Sequence, residues 1–132
     1  MPPENSEIVR RLTDAFNRHE VEAFGVLFAP DAEIRPIRAA LEGTVYSGPD
    51  AAAEMFAAVD ESWENLSIEA DEIRDGGDWV LVLGRFRGRG RGSGVDLDVG
   101  VAAVIRLRDG LITSFSTYTD RAQALREVGL QE

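Results

Sequence analysis

Few kinds of side chain in this sequence can carry out acid–base, nucleophilic or metal chemistry. The chain has no cysteine, no lysine among its 14 basic residues and one histidine, His19. These counts exclude thiol nucleophiles, disulfides, Schiff-base chemistry and histidine-rich or thiolate zinc sites, so no metal site is expected. His19 is expected to lie solvated between two helices, with a catalytic base as the alternative. Carboxylates, hydroxyls, arginines and aromatic rings remain.

Arg85 is the best candidate for a polar side chain in a binding pocket. A two-residue hairpin turn at Arg91-Gly92 would place Arg85 opposite Asp98 and Arg87 opposite Asp96, with complementary charges on one sheet face. The alternative is a pair of cross-strand salt bridges near the sheet surface, of small energetic value. A slip of one residue would move both aspartates to the other face, so the hairpin register stays open.

A glycine–arginine repeat from Gly88 to Gly92 has the composition of an RNA-binding segment. Such segments are longer and disordered, whereas this one lies between two strand-like stretches. The net charge of −10 repels nucleic acid and anionic membranes, and no apolar run is long enough to cross a membrane. The N-terminal residues lack the basic and apolar regions of a signal peptide. We therefore expect no nucleic-acid partner, no membrane partner and a cytoplasmic location.

One long hairpin organises the elements that would position these side chains. Its arms, 79–87 and 95–108, are rich in β-branched and aromatic residues, and glycine fills the tip between them. Both arms are apolar on both faces over much of their length. This pattern predicts a sheet that is covered on at least one side.

Helical spacing of apolar residues dominates the chain before this hairpin. The predicted helices begin near Asn5 or Ser6, cover about 20–28 and run from Pro49 to Trp63, and a terminal helical turn runs from Asp120 to Arg126. The other predicted strands are 32–37, 66–74 and 111–119, with a loop over 38–48. This order predicts a single α+β domain over residues 1–132, in which a curved antiparallel sheet wraps around the N-terminal helices. Such a sheet leaves a concave pocket at its open end.

Five short phrases, spread over nearly the whole chain, carry a resemblance to a known family. They occupy residues 28–33, 46–51, 84–90, 106–110 and 118–121. In this order they resemble the nuclear transport factor 2-like superfamily, in particular its SnoaL-like (polyketide cyclase-like) branch. The resemblance implies a cone-shaped, cystatin-like fold. It does not imply one activity, because the superfamily includes isomerases, hydrolases, dehydratases, cyclases and proteins without known catalysis.

Two known chemistries of the superfamily do not fit the residues at the matching positions, and the acidic or histidine acid–base group expected in SnoaL-type cyclases has no assigned residue here. Where ketosteroid isomerases carry a base and two oxyanion donors, this chain has Pro36, Leu12 and Ala103. Where limonene-epoxide hydrolases carry an arginine and two aspartates, it has Arg85, Arg87 and Thr117. The catalytic residues therefore stay unknown, and the sequence does not decide whether the protein is an enzyme.

The resemblance implies an apolar pocket that takes a small apolar organic molecule without a cofactor. The expected pocket-lining residues are Leu12, Phe16, Phe56, Trp63, Arg85, Ala103, Phe115, Thr117 and Thr119. If the protein is an enzyme, the family suggests isomerisation, cyclisation or hydrolysis. The alternative is a non-catalytic ligand-binding or dimeric interaction module. A homodimer is expected in either case, because the helices can cover one face of a sheet that is apolar on both.

Overall fold

The computed structural model of the protein describes residues 5–36 and 45–130. The helices are α1 (Asn5–Asn17), α2 (Val21–Gly25), α3 (Ala51–Ser62) and α4 (Arg121–Glu127), and the strands are β1 (Phe28–Arg35), β2 (Tyr46–Ser47), β3 (Trp63–Asp75), β4 (Trp79–Gly90), β5 (Asp96–Arg108) and β6 (Leu111–Tyr118). The predicted α+β class, with a curved sheet wrapped around N-terminal helices, is confirmed.

The six strands form one sheet in the order β2-β1-β6-β5-β4-β3. All neighbouring strands run antiparallel except β1 and β6, which pair in parallel. The prediction of a purely antiparallel sheet is therefore wrong at this one pair. The chain between β1 and β6 is long enough to cross over, and a long crossover is what parallel neighbours require.

The main core lies between the helices and the inner face of the sheet. Apolar residues of α1 recur at helical spacing, so one face of the helix is buried while charged residues occupy the other. Side chains of β4 and β5 alternate between faces, and the inward set meets the helices. The buried residues of this core include Ile8, Val9, Leu12, Ala15 and Phe16 of α1, and Val80, Val82, Ala103 and Ile105 of the sheet.

The opposite, outer face of the sheet is covered in part by α4. Leu81, Leu83, Ala102 and Val104 are buried there against Ala124 and Leu125 of that helix. Asp120 caps α4, since its carboxylate accepts a hydrogen bond from the Ala122 amide at 2.9 Å. The apolar part of the outer face is therefore covered within the chain, and the apolar patch that motivated the homodimer prediction is absent from the described residues.

Gly84 allows the backbones of β3 and β4 to approach closely. A β-carbon at this position would lie 2.1 Å from the carbonyl oxygen of Glu69 on the neighbouring strand. The register of the two strands also shifts between Ala70 and Glu72, which marks a β-bulge. A glycine is needed where two backbones approach this closely.

Several predicted boundaries differ from the structure. Helix α2 ends at Gly25 and β1 begins at Phe28, so Pro30 lies in a strand, within a stretch of shifted register. A bulge is one of the places where a strand accepts proline. Helical spacing predicts that Trp63 ends the third helix, but Trp63 is the first residue of β3. The predicted loop 38–48 contains β2, and its residues 38–44 lie outside the described part of the chain.

The hairpin between β4 and β5 is offset by two residues from the predicted register. Arg87 lies opposite Asp98 and Arg89 opposite Asp96, because the tip is longer than the two-residue turn assumed. An offset of two keeps each side chain on its original face. The Arg85 side chain still reaches Asp98, diagonally, with Nε 2.7 Å from the carboxylate.

Candidate functional site

A cavity of about 330 Å³ lies between the helices and the inner face of the sheet. Its helical wall is apolar, because each helix turns its buried face towards the sheet. Residues of α3 line the cavity at spacings of three and four, as expected for one helical face. The helical contributors are Phe16 of α1, Phe24 of α2, and Met55, Ala58, Val59 and Ser62 of α3.

The sheet supplies the other wall from all six strands. Alternation selects every second residue of a strand, and a bulge after Glu64 lets Trp63 share this face with Leu66 and Ile68 of β3. The remaining contributors are Ile34 of β1, Tyr46 of β2, Phe86 of β4, Leu97 and Val99 of β5, and Phe115 and Thr117 of β6, with Pro36 and Thr119 just beyond strand ends.

Hydroxyl groups supply most of the polarity of the described wall. They belong to Tyr46, Ser62, Thr117 and Thr119, and Trp63 adds an indole N–H. Thr117 is 8% exposed and is the one buried polar residue among the described parts of the chain. None of the described lining residues is a carboxylate, a histidine or an arginine. The wall can therefore orient a ligand by hydrogen bonds, and Tyr46 is its strongest candidate for a general acid.

The structure brings together most of the residues predicted to line a pocket. Phe16, Trp63, Phe115, Thr117 and Thr119 line the main cavity. A second cavity of about 20 Å³ lies beside it, and Leu12 and Ala103 are in its wall. Phe86, Ile68, Phe115 and Thr117 belong to both walls, so the two cavities are neighbours.

Phe56 lies behind the cavity wall. It is 2% exposed, and its ring centroid lies 5.5 Å from that of Phe16 and 5.0 Å from that of Phe24. Both neighbours line the cavity, so Phe56 supports the wall without being part of it. The inward direction predicted for Phe56 holds, but its predicted place in the wall needs this correction.

Arg85 lies on the outer face, and its predicted place in the pocket is wrong. Phe86 points into the cavity, so strand alternation turns Arg85 the other way. There it pairs with Asp98. The hydrogen bond to this carboxylate and its negative charge raise the pKa of Arg85 above its usual value. The surface salt bridge, which was the alternative interpretation, is what the structure shows.

Arg91 and His19 make polar contacts at the end of α3, beside the cavity. Arg91, at the hairpin tip, donates a hydrogen bond from Nε to the Asp60 carbonyl at 2.7 Å and a second from Nη2 to the Trp63 carbonyl at 3.3 Å. A cation at this position satisfies carbonyls that end a helix and interacts favourably with its dipole. The ring of His19 lies 3.0 Å from the Asp60 carboxylate, about half exposed and away from the cavity wall.

The sequence interpretation missed several residues of the wall. Tyr46, Phe86, Leu97 and Val99 were not predicted to line the pocket, although all four do. Leu97 and Val99 alternate with Asp96 and Asp98, and this alternation is the signal that could have placed them on the inner face. Tyr46 carried no such signal, because β2 is two residues long.

Comparison with known proteins identifies the family. The profile of the SnoaL-like domain matches residues 9–115, which is more than half of the chain. The chain belongs to the SnoaL-like domain family. This confirms the resemblance to the SnoaL-like branch, and solved nuclear transport factor 2-like structures share the fold of this chain. None of the curated proteins compared with this SnoaL-like chain matches it.

Three solved structures illustrate the similarity. A hypothetical protein from Catenulispora acidiphila, with a ketosteroid isomerase-like fold and in complex with trimethylamine, is 25% identical over 97% of this chain and 95% of its own, with a TM-score of 0.78. A nuclear transport factor 2-like protein of unknown function from Burkholderia pseudomallei is 22% identical over 95% and 97%, with a TM-score of 0.79. A candidate polyketide cyclase from Sinorhizobium meliloti is 26% identical over 84% and 93%, with a TM-score of 0.70.

Two further observations concern partners. Within 5–36 and 45–130, no three metal-binding side chains come together in one group. The helices found in those ranges are all too short or too polar to cross a membrane. That the whole chain forms one SnoaL-like domain, and that it is cytoplasmic, stay predictions.

Proposed function

We propose that this SnoaL-like protein binds a small, mostly apolar organic molecule in the main cavity. The observation that carries the proposal is the cavity itself, about 330 Å³ in volume and bordered by apolar and aromatic side chains with a few hydroxyls. Pockets of this size and lining are typical of small-molecule sites. Burial of the ligand's apolar surface would supply the affinity, and the hydroxyls would fix its orientation.

Native mass spectrometry of the protein purified from its own host tests the proposal. The expected result is a mass excess that corresponds to one small molecule. Ala58→Phe should abolish it, because Ala58 lines the cavity and the larger side chain fills it. Ala57→Phe is the matched control, since Ala57 is its exposed neighbour on α3 and should keep the ligand. A host-purified protein without excess mass, which no apolar compound stabilises against heat, would contradict the proposal.

A catalytic version is supported by Tyr46. This phenol is the titratable side chain among the described lining residues, and it could donate a hydrogen bond to a developing oxyanion during an isomerisation, cyclisation or hydrolysis. Incubation of the identified ligand with the protein, followed by NMR, distinguishes conversion from binding. If the protein is an enzyme, Tyr46→Phe should slow conversion at least about tenfold and leave the ligand bound.

Ketosteroid isomerisation is not the proposed reaction. Pro36 borders the main cavity, and Leu12 and Ala103 border the smaller one, so the positions aligned with a base and two oxyanion donors carry no titratable side chain. Loss of one oxyanion donor alone can cost about 10²–10³ in rate. A spectroscopic assay with a Δ5-3-ketosteroid should therefore show the buffer rate, and Arg85→Ala, on the outer face, should change nothing. Turnover well above the buffer rate would show a base that the alignment missed.

We further propose a homodimer, formed through the uncovered part of the outer sheet face. Arg85, Arg87 and Arg89 form a row on β4, and Asp96 and Asp98 form a row on β5. Their ion pairs are surface-exposed, with separations of 2.7 Å for Arg85–Asp98 and 3.4 Å for Arg89–Asp96. Adjacent rows of opposite charge are self-complementary under a two-fold axis, which is the symmetry of most dimers.

A further inference from the structure

Aromatic rings from two helices and from both edges and the middle of the sheet border the cavity. The strand order places Tyr46, on β2, at one edge of the sheet and Trp63, on β3, at the other, with Phe115 on a central strand between them. Phe16 and Phe24 close the helical side. Tyr46 and Trp63 are only half-buried, so a ligand can reach them. A bound molecule would therefore have aromatic rings around it, and the faces of such rings attract cations.

The charge of the protein favours the same sign of ligand. The chain carries 24 acidic and 14 basic residues, for a net charge of −10. The resulting negative potential attracts cations and repels anions. Among the described lining residues no arginine or other cation is available to pair with an anionic ligand. An anion that entered would lose its hydration without a charged partner, which is strongly unfavourable.

The polar groups of the wall restrict the kind of cation. A primary ammonium has three N–H donors and usually meets carboxylates, which the described wall does not provide. A tertiary ammonium has one such donor and a quaternary ammonium has none, and the alkyl groups of both match the apolar lining. The hydroxyl of Thr117 or Thr119 could accept that one hydrogen bond.

We propose that the cavity binds a hydrophobic organic cation, namely a tertiary or quaternary ammonium that carries an apolar group. This inference rests on the proposed function, because it assigns the ligand class of the same cavity. Aromatic rings stabilise the charged end of the ligand, and the apolar wall takes the rest. Neutral molecules of the same shape bind more weakly, and anions of the same shape do not bind.

Three ligands of similar shape and different charge test this assignment. Phenyltrimethylammonium is the cation, tert-butylbenzene its neutral counterpart and benzenesulfonate an anion of similar shape. Affinities follow from NMR titration of the protein, at low salt and at salt high enough to screen the long-range potential. The ammonium is expected to bind about tenfold more tightly than tert-butylbenzene, and to keep most of this advantage at high salt, because ring contacts are local. The sulfonate is expected not to bind.

A pair of matched tryptophan variants tests whether the rings are responsible. Trp63→Leu keeps the wall apolar but removes a ring. It should therefore lower the affinity for the ammonium several-fold and leave the affinity for tert-butylbenzene nearly unchanged. Trp79→Leu is the control, since Trp79 packs in the outer cluster beneath α4 and should leave both affinities unchanged. If Trp63→Leu does not fold, Tyr46→Leu removes the ring at the other edge and is expected to act in the same way.

The outcomes separate this inference from the proposed function. Equal affinity for the ammonium and tert-butylbenzene, or tighter binding of the sulfonate, would overturn the cation assignment and leave small-molecule binding in place. An equal loss of affinity for the ammonium and for tert-butylbenzene in Trp63→Leu would also overturn it, because an apolar contact of Trp63 would then explain the binding. Failure of all three ligands to bind overturns the cation assignment, whereas the proposed function fails only if host-purified protein also carries no ligand.

Discussion

At the scale of single residues, the cavity concentrates its polarity in a few neutral hydroxyls. Thr117 is the most buried of them, and its neighbour two positions along, Thr119, faces the same space. A buried hydroxyl in an apolar wall has a large effect on ligand choice, because a ligand that leaves it without a partner is disfavoured. The orientation of the ligand should therefore depend on Thr117 more than on any apolar contact.

Replacement of Thr117 by valine should lower the affinity for a ligand that carries a hydrogen-bonding group by about fivefold. This factor corresponds to one neutral hydrogen bond of about 1 kcal/mol. Thr113→Val is the matched control on the same strand. The Thr113 hydroxyl donates to the Arg106 carbonyl at 3.2 Å, so its loss should lower the free energy of unfolding by about 1 kcal/mol and leave affinity unchanged. Titration calorimetry and urea unfolding measure the two effects. Unchanged affinity in Thr117→Val would exclude this contact.

Tyr118 should make the protein less stable in alkali. Burial raises the pKa of Tyr118 above the ordinary value of 10.0, and the negative charge of Glu127 raises it further. The folded state thus holds the proton to higher pH than the unfolded state. The stability gained is complete below pH 10.0 and is lost as pH rises through the folded pKa. The chain has no lysine and no cysteine, whose side chains would otherwise titrate in this range.

Urea unfolding at about pH 8 and about pH 11 measures this loss. Tyr118→Phe should lose less stability between the two pH values than the wild type, because it has no proton to release there. Glu127→Gln should lower the midpoint of the tyrosinate absorbance change, since it removes a negative charge near the phenol. A pH dependence that is identical in the wild type and Tyr118→Phe would refute this account.

At the scale of elements, the close approach of β3 and β4 depends on Gly84. Gly84→Ala should lower the free energy of unfolding by about 1–3 kcal/mol, because the added methyl would meet the Glu69 carbonyl and force the strands apart. Gly100→Ala is the matched control on the adjacent strand, where an added β-carbon would have no atom within 4 Å. It should be neutral or stabilising by up to about 1 kcal/mol. Equal destabilisation of the two variants in urea unfolding would argue against a special role for Gly84.

The elements themselves were largely predictable, but the faces of the central strands were not. The helix α1 carries a strict 3.6-residue pattern, so its buried face could be predicted residue by residue. Strand β4 carries no such signal, since Val80 and Val82 face the helices while Leu81 and Leu83 lie under α4. Both faces are apolar, so the pattern could not show whether Arg85 or Phe86 points into the cavity. This ambiguity produced the wrong placement of Arg85.

Other differences come from contacts that are distant in sequence. Trp63 continues the helical stripe of α3, yet pairing with Gly90 makes it the start of a strand. The parallel pairing of β1 with β6 joins residues such as Ile34 and Phe115, which no local pattern relates. The family resemblance supplied the cone-shaped fold and its pocket, but the prediction of an antiparallel sheet did not include this parallel pair. Of the pocket residues that the resemblance implied, Phe115 and Thr117 of β6 line the main cavity, whereas Arg85 of the hairpin lies on the outer face.

At the scale of the whole molecule, the two faces of the sheet have separate roles. The inner face holds the cavity. The outer face is divided between an apolar half, closed by α4, and a half in which arginines and aspartates alternate across β4 and β5. Large apolar side chains exposed within the described residues are Val26, Val45, Val95 and Leu111, which belong to different parts of the chain. Assembly through the outer face would therefore depend on charge, and this distinguishes it from an apolar interface.

The homodimer proposed for that face should consequently be sensitive to salt and to charge reversal. Sedimentation at micromolar concentration and low salt should show twice the chain mass of 14.4 kDa, and added salt should shift the protein towards monomer. Arg87→Glu should give a monomer, because it places like charges against Glu69 and Asp98 within the chain and across the interface. Arg108→Glu is the matched control, since it breaks an exposed pair with Asp31 outside the proposed interface and should leave the dimer intact. A wild-type protein that sediments as a stable monomer near 14.4 kDa at low salt would refute the dimer. A dimer that survives both high salt and Arg87→Glu would place the interface elsewhere on the molecule.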